Sequence, residues 1–447
     1  MKTYDTIIIG GGISGLSAAY NVAIAGKNVV LIEKDKFVGG RAKSVKKKGF
    51  ILENGALYIV FAGETLKKYF EVLEIPKSEI TPVDKRIAFF YQDKLHKMNF
   101  NKYGKTLYSL LLSELVETQD KINPLSLLFL LKCKKAFRDI KESYLSFQKY
   151  NKISAKAFVS KFFSESTIEN IFEPISETFL FANLNDVSAA IFMVLIGAFV
   201  DEENKLLYLE NGIGTLADKF NIKIIENGGK VIRDEVVNIK KHNSRYIVVC
   251  KSGKIFSSKS VISAIPTVVL ESIAPSLNNQ IVHYKTKYIP IICDNIALTS
   301  PIDKLKEHHL TFFPGKNSPI VLMGESTKRH LNVAPKGSGL LYVLISPKFS
   351  KQLISKSNRE IQNIIDYELS KTFPDYSKKI LFHHINKWKN AFALSSIEYF
   401  NNVKVETNLK GLFLCGDHIY VGLDGVILSG ELAAIKNIEY LKRKNLK

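Results

Sequence analysis

Thr6-Ile7-Ile8-Ile9, then Gly10-Gly11-Gly12-Ile13-Ser14-Gly15 and, eighteen residues further on, Glu33 decide the fold of this 447-residue chain. The run Thr6–Ile9 is apolar without alternation, the pattern of a parallel strand buried on both faces. Ile13–Ala25 reads as a helix with Gly26 at its C-terminal cap, and Asn28–Glu33 reads as a second apolar strand. A strand, a G-x-G-x-x-G turn and a helix, answered by an acidic residue at the end of the next strand, form a dinucleotide-binding βαβ unit. Gly10 permits the tight turn, Gly12 lets the backbone approach a pyrophosphate, and Gly15 lets the helix pack closely on the strand. Ile13 and Ser14 open that helix, whose free N–H groups and partial positive charge suit phosphate. Glu33 is placed to accept hydrogen bonds from ribose hydroxyls and to repel a 2′-phosphate, which disfavours NADP.

Outward from this unit the character changes twice. From about Tyr91 to Phe199 apolar residues recur at helical spacing, through Tyr103–Val116 and Leu125–Tyr150, with basic residues between them. This stretch reads as mostly helical. Strand signals return at Val231-Ile232, Val236–Ile239, Tyr246–Cys250 and Val261–Ala264. A further stretch, about 281–388, mixes the strands Ile289–Leu298 and Leu340–Ile345 with a helix near Arg359–Lys371. The end of the chain supplies the strand Leu412–Cys415, a glycine-rich turn and a helix running through Leu441. There is no internal repeat and no low-complexity linker, so the domains are expected to interleave.

Composition sets outer bounds. Hydrophobic residues at 46% and charged residues at 24% describe a folded globular chain. The net charge of +20 points either to an anionic partner or to a Lys-rich composition that serves solubility. No nucleic-acid-binding motif accompanies the charge, and nucleic acid is not expected as a partner. The four cysteines (Cys133, Cys250, Cys293, Cys415) show no metal-site or disulfide spacing, and the pairs His308-His309 and His383-His384 read as surface or structural, so no metal is expected. Strand-like sequence begins by Tyr4 with no apolar region before it, so no signal peptide is expected. The longest apolar runs, Leu125–Leu131 and Ala189–Val200, are too short to span a bilayer. A cytoplasmic location follows as the expectation.

Glu33–Arg41, ending Gly39-Gly40-Arg41, resembles the extended FAD signature of the amine oxidase, phytoene desaturase and protoporphyrinogen oxidase superfamily, and most of all a desaturase-like member. Glu53-Asn54-Gly55-Ala56-Leu57 resembles that superfamily's segment beside the flavin ring. Gly411–Asp417 followed by Gly425–Gly430 resembles its C-terminal FAD motif. The resemblance implies an α/β fold. In it, a Rossmann-type FAD-binding domain with a mostly parallel sheet (residues 1–85, 206–280 and 396–447) interleaves with a mixed α+β, partly helical substrate domain (86–205 and 281–395). It implies FAD as cofactor and a set of contacts beyond the fingerprint: Lys34 after Glu33, Gly40 near the flavin, and Arg41 on the pyrophosphate. Gly55, Ala56 and Leu57 are implied beside the ring, Val237 at the adenine, and Gly416 and Asp417 at the ribityl–phosphate region. Gly425 and Val426 are implied at a helix start aimed at the flavin edge.

Membership further implies an FAD-dependent oxidoreductase that passes a hydride from substrate to flavin, a step requiring no essential acid or base, so no catalytic residue is assigned. Trp388–Ala393, read as a tryptophan shortly before an alanine-containing turn, resembles the desaturase and porphyrinogen-oxidase pattern, and Phe172-Glu173-Pro174-Ile175 resembles the substrate domain of desaturase-type members. The expected substrate is apolar, of isoprenoid or carotenoid type. A protoporphyrinogen-type oxidase, an amine oxidase and a flavin-binding assembly protein stand as alternatives. Ile191–Val200 is either a tunnel wall or a buried helix. Leu125–Arg138, with Lys132, Lys134, Lys135 and Arg138, is either a solvated helix or a site for an anionic membrane surface on the inner face of the membrane.

Overall fold

The computed structural model describes all residues except 61, 137–139, 278–285, 303–304, 306–309, 316–317, 329–331, 398–403 and 446–447. Two seven-stranded sheets organise it. In the first, the strands Val236–His242, Arg245–Cys250, Ile255–Ser263, Lys2–Ile9, Val29–Glu33 and Lys230–Arg233 follow one another across the sheet, and Leu412–Leu414 joins Ile255–Ser263 from the far end of the chain. The pairs around Lys2–Ile9 are parallel, with Ile7 beside Val261 and Val30. Ile7, Ile8, Val29, Val30 and Leu31 are fully buried, as their unalternating pattern requires, because helices cover both faces. The helices Ile13–Ile24, Thr215–Glu226 and Gly422–Asn445 pack on one face through Leu16, Val22, Leu216, Phe220 and Ile427. The helix Thr267–Ile273 covers the other through Leu270.

The second sheet runs in the order Ile380–Ala393, Tyr288–Leu298, Gly339–Ile345, Ile320–Glu325, Leu310–Phe312, Arg86–Tyr91 and Lys94–Asn99. Its pairs are antiparallel except Leu310–Phe312 against Arg86–Tyr91. The helix Asn358–Thr372 packs Ile365 onto an apolar layer of Ile292, Ile296 and Met323. Set into that layer is a polar tie, in which His383 Nδ1 meets Asp294 at 2.6 Å and Tyr376 donates to Asp366 at 2.9 Å. Burial alone would lower the His383 pKa, but the bond and charge of Asp294 outweigh it and hold the imidazole above its ordinary value.

Three sequence expectations need correction. The helical stretch does not begin at Tyr91, because Arg86–Tyr91 and Lys94–Asn99 form a hairpin. Its turn residues Gln92 and Asp93 both take positive φ (50° and 58°), a type I′-like geometry reached without the usual glycine. Trp388–Ala393 is not a lead-in to a turn but the last part of a fourteen-residue edge strand. The final helix starts at Gly422, three residues before Gly425. Asp424 then falls in the first turn, where an acidic side chain suits the helix dipole, and its carboxylate accepts the Leu66 N–H at 2.7 Å.

All twelve residues of Ala189–Val200 are buried, so this segment is a core helix and not a tunnel wall. Its C-terminal carbonyls would be orphaned there, and Lys85, itself 1% exposed, satisfies them. The Lys85 ammonium donates to Phe199 O at 2.9 Å and Asp201 O at 2.6 Å. Burial pushes its pKa down to about 8, against the pull of nearby Asp201. Lys85→Met is expected to cost roughly 1.5–3 kcal/mol, the worth of a charged hydrogen bond. Urea unfolding measures this directly, and an unchanged midpoint with an unchanged slope would refute the capping role.

Candidate functional site

The glycine turn after the first strand is shaped by close approaches. Gly10 takes φ +100°, and a side chain there would meet Ile265 at 2.8 Å. A side chain on Gly15 would run into the Gly10 carbonyl, so helix and strand touch only because both are glycine. Gly12 is different, because nothing lies within 4 Å of where its Cβ would be. It is also the N-cap of Ile13–Ile24, and neither a capping side chain nor an acidic first-turn residue occupies that helix end. Open space beside uncapped N–H groups is a cradle for an anion, and the pyrophosphate of a dinucleotide fits it. Ser14 and Gly15, in the first turn of this helix, are buried.

Glu33 is 7% exposed and closes the turn from the next strand. One carboxylate oxygen accepts Gly11 N–H at 2.5 Å, and the other accepts Asp35 N–H at 2.8 Å. Each oxygen keeps a second lone pair for a ribose hydroxyl. Beyond Glu33 an open pocket of about 580 Å³ is lined by Lys34, Lys36, Arg233, Asp234 and Lys251, among others. Val237 stands 42% exposed on the strand Val236–His242, outside that lining. Arg233, which lies opposite Glu33 in the strand pairing, was not singled out in the sequence, since no short motif includes it.

The second glycine pair folds back onto the first: Gly39 N–H donates to Gly11 O at 2.8 Å, and Gly40 (φ +57°) lies over Gly12. Arg41 then reaches across to the C-terminal motif. Its guanidinium forks onto Asp417 at 2.7 and 3.2 Å and also meets Ala391 O. Asp417 is 6% exposed and accepts Ala393 N–H at 2.9 Å as well. Burial opposes ionisation of Asp417, but the Arg41 charge prevails and holds the carboxyl below its ordinary range. Gly416 N–H is bonded to Ser429 Oγ at 3.0 Å, and Ser17 Oγ donates to Ile427 O at 2.9 Å, so the final helix is locked onto the fingerprint helix. Gly425 closes that helix's first turn and Val426 opens its second, so neither lies at its tip. Residues from the two ends of the chain thus share one site.

Glu53–Leu57 is clamped by the second sheet. Asn295 holds both the N–H and the O of Glu53, at 3.0 and 2.8 Å. Trp388 Nε1 donates to Asn54 O at 2.7 Å, His384 Nε2 lies 3.2 Å from Asn54 Oδ1, and Tyr342 donates to Gly55 O at 2.6 Å. Ala56 N–H bonds Arg41 O at 3.0 Å, and Leu57 is buried. Burial pushes the Glu53 carboxyl up to about 7, with bonds from Ser44, Ile213 N–H and Tyr208 opposing. Trp388 was marked in the sequence for its pattern alone. Asn295, His384 and Tyr342 carry no local signal, because they act from strands some 240–330 residues away.

Tyr58, Phe181, Trp388, Phe392, Leu394 and Leu428 are half-buried and pack on a single apolar cluster that joins this segment to the helical region. Phe181 takes φ +54°, an uncommon conformation for a bulky residue, and its ring lies 4.9 Å from that of Phe392. Phe392 is flanked by Ala391 and Ala393, whose backbones hold Arg41 and Asp417. The arrangement provides an anion cradle, a ribose acceptor and a half-buried apolar shell. The flavin would supply the electron-accepting ring.

The sequence pattern of the flavin containing amine oxidoreductases matches residues 13–435. Protoporphyrinogen oxidase 2 of Arabidopsis thaliana is 22% identical, over 97% of this chain and 94% of that one. The 15-cis-phytoene desaturase of an Oncidium hybrid cultivar is also 22% identical, over 97% of this chain and 77% of that one. Among solved structures, an oxidoreductase from Methanosarcina mazei superposes with a TM-score of 0.74 at 18% identity, over 97% and 100% of the two chains. A double mutant of putrescine oxidase superposes with a TM-score of 0.75 at 16% identity, over 98% and 99%.

Proposed function

We propose, from the premise that this chain belongs to the flavin containing amine oxidoreductase family, that it dehydrogenates an apolar substrate of isoprenoid or carotenoid type. The protein is an oxidoreductase, and its cofactor is FAD. Gly12, Glu33 and Arg41 would hold the dinucleotide, and Glu53–Leu57 would pass beside the ring. What carries the substrate reading is the half-buried shell of Tyr58, Phe181, Trp388, Phe392, Leu394 and Leu428 next to that segment. Such a shell is apolar enough to take up a hydrocarbon. Lys85, the one buried lysine among the described residues, is committed to backbone carbonyls at the end of the helix Ala189–Val200. Oxidation of a protoporphyrinogen-type substrate is the second reading, supported by end-to-end similarity to such an oxidase.

Anaerobic mixing of the FAD-loaded protein with phytoene in detergent, with protoporphyrinogen and with putrescine separates the readings. Bleaching of the oxidised flavin by phytoene is expected, whereas bleaching by putrescine alone would overturn the proposal. One dinucleotide fingerprint serves one dinucleotide, so NADH and NADPH are expected to reduce the flavin slowly or not at all. Fast reduction at micromolar NADH would move the enzyme to a reductase class. A substrate of this kind resides in lipid, and the proposal therefore includes reversible attachment to a membrane.

A further inference from the structure

Eight of the twenty large apolar side chains that stand exposed among the described residues fall within residues 108–145. They are Tyr108, Leu111 and Leu112 on the helix Tyr103–Leu112, Ile122 ending the helix Thr118–Ile122, Leu125, Leu127 and Leu128 on Pro124–Ala136, and Leu145 on Ile140–Phe147. Positions 108, 111 and 112 share one helical face, as do 125 and 128. The opposite face of Pro124–Ala136 (Ser126, Phe129, Leu130 and Cys133) is buried, so the leucines are surplus to the core. Ile122 is 79% exposed, Leu112 64% and Leu128 55%, far beyond single scattered residues.

The basic residues first associated with this helix do not all serve such a surface. Lys134 pairs with Glu202 at 3.3 Å and lies over the Tyr103 ring, and Lys132 lies over Tyr150. The Lys135 side chain and Arg138 lie outside the described residues. The contact of Lys134 with Tyr103 joins the end of one helix to the start of the other. The connection through Thr118–Ile122 forms the tip that links the helix end carrying Leu111 and Leu112 to the helix start carrying Leu125 and Leu128. Lys121 stands beside Ile122 at this tip, whereas Lys102 and Lys105 lie at the far start of Tyr103–Leu112.

We propose that this tip is a docking surface for an anionic lipid bilayer, entered by Leu111, Leu112, Ile122, Leu125 and Leu128. Residues 101–161 carry twelve Lys or Arg against five Asp or Glu, within a chain of net charge +20. That balance suits an anionic leaflet and opposes a second copy of the same face, where like charges would meet. No helix among the described residues is long and apolar enough to cross a membrane, so the contact is one of lying on the surface. The inference extends the apolar-substrate reading given above, and flotation tests it without reference to turnover.

FAD-loaded protein is floated with vesicles of phosphatidylcholine alone or with about a third phosphatidylglycerol, at low and high salt. Binding is expected only with phosphatidylglycerol, weakening with salt. The variant L112S/I122S/L125S/L128S changes exposed positions only, and should keep its FAD and its melting temperature while binding at least tenfold more weakly. Absence of wild-type binding at low salt would overturn the proposal, as would undiminished binding by the variant. Light scattering that shows a wild-type dimer dissociated by the same substitutions would assign the face to self-association instead. Loss of vesicle binding alongside intact reduction by phytoene in detergent would leave the catalytic proposal standing.

Discussion

Glu33→Arg is expected to yield a folded protein that emerges from gel filtration without FAD. The Glu33 carboxylate is the acceptor for Gly11 N–H inside the glycine turn and, with its remaining lone pairs, for a ribose. Replacing it by a cation leaves the buried Gly11 N–H unpaired and removes the ribose acceptor in one step. Glu33→Gln keeps the shape but loses the charge, and one charged hydrogen bond is worth roughly 1.5–3 kcal/mol, or about 10–150-fold in affinity. Titration of the apoprotein with FAD, followed by flavin fluorescence, measures both variants. Equal affinity in wild type, Glu33→Gln and Glu33→Arg would show that this carboxylate serves the turn alone.

The second large effect belongs to Asp417. Its carboxylate is buried and holds both Arg41 and the Ala393 N–H, so Asp417→Ala strands a guanidinium and a backbone donor together. Breaking a buried pair from one side costs about 3–5 kcal/mol, and the Arg41 side chain, 35% exposed, recovers part of this from water. A loss of about 3 kcal/mol in denaturant unfolding, with loss of bound FAD, is expected. Because the two partners act as a unit, Arg41→Ala on top of Asp417→Ala should cost little more. Additive losses in the double variant would mean that the two residues work independently.

The parts of this molecule that are legible in the sequence are those whose physics is local. The turn at Gly10–Gly15, its helix and the strand ending in Glu33 lie within thirty residues, and the buried parallel strands announce themselves as unbroken apolar runs. The site's second half is not of that kind. Asn295, Tyr342, His384 and Trp388 matter through strand register, with Asn295 opposite His384 and Ile291 opposite Trp388, and no short pattern encodes that pairing. The hairpin at Gln92-Asp93 went unread because its left-handed turn residues are neither glycine nor asparagine. The start of the last helix was placed late because Gly425, the motif's glycine, lies inside a turn already begun at Gly422 and anchored by Asp424. Lys85 was invisible for a related reason. Its role depends on a helix end more than a hundred residues away.

If both ends of the chain build one FAD site, the purified protein carries that cofactor, and releasing it by heat identifies it. A yellow protein whose heat-released cofactor co-elutes with FAD in a ratio near one per chain is expected. Release of FMN would contradict the assignment of Glu33 to an adenosine ribose. A colourless protein that cannot be reconstituted with FAD would contradict the account as a whole.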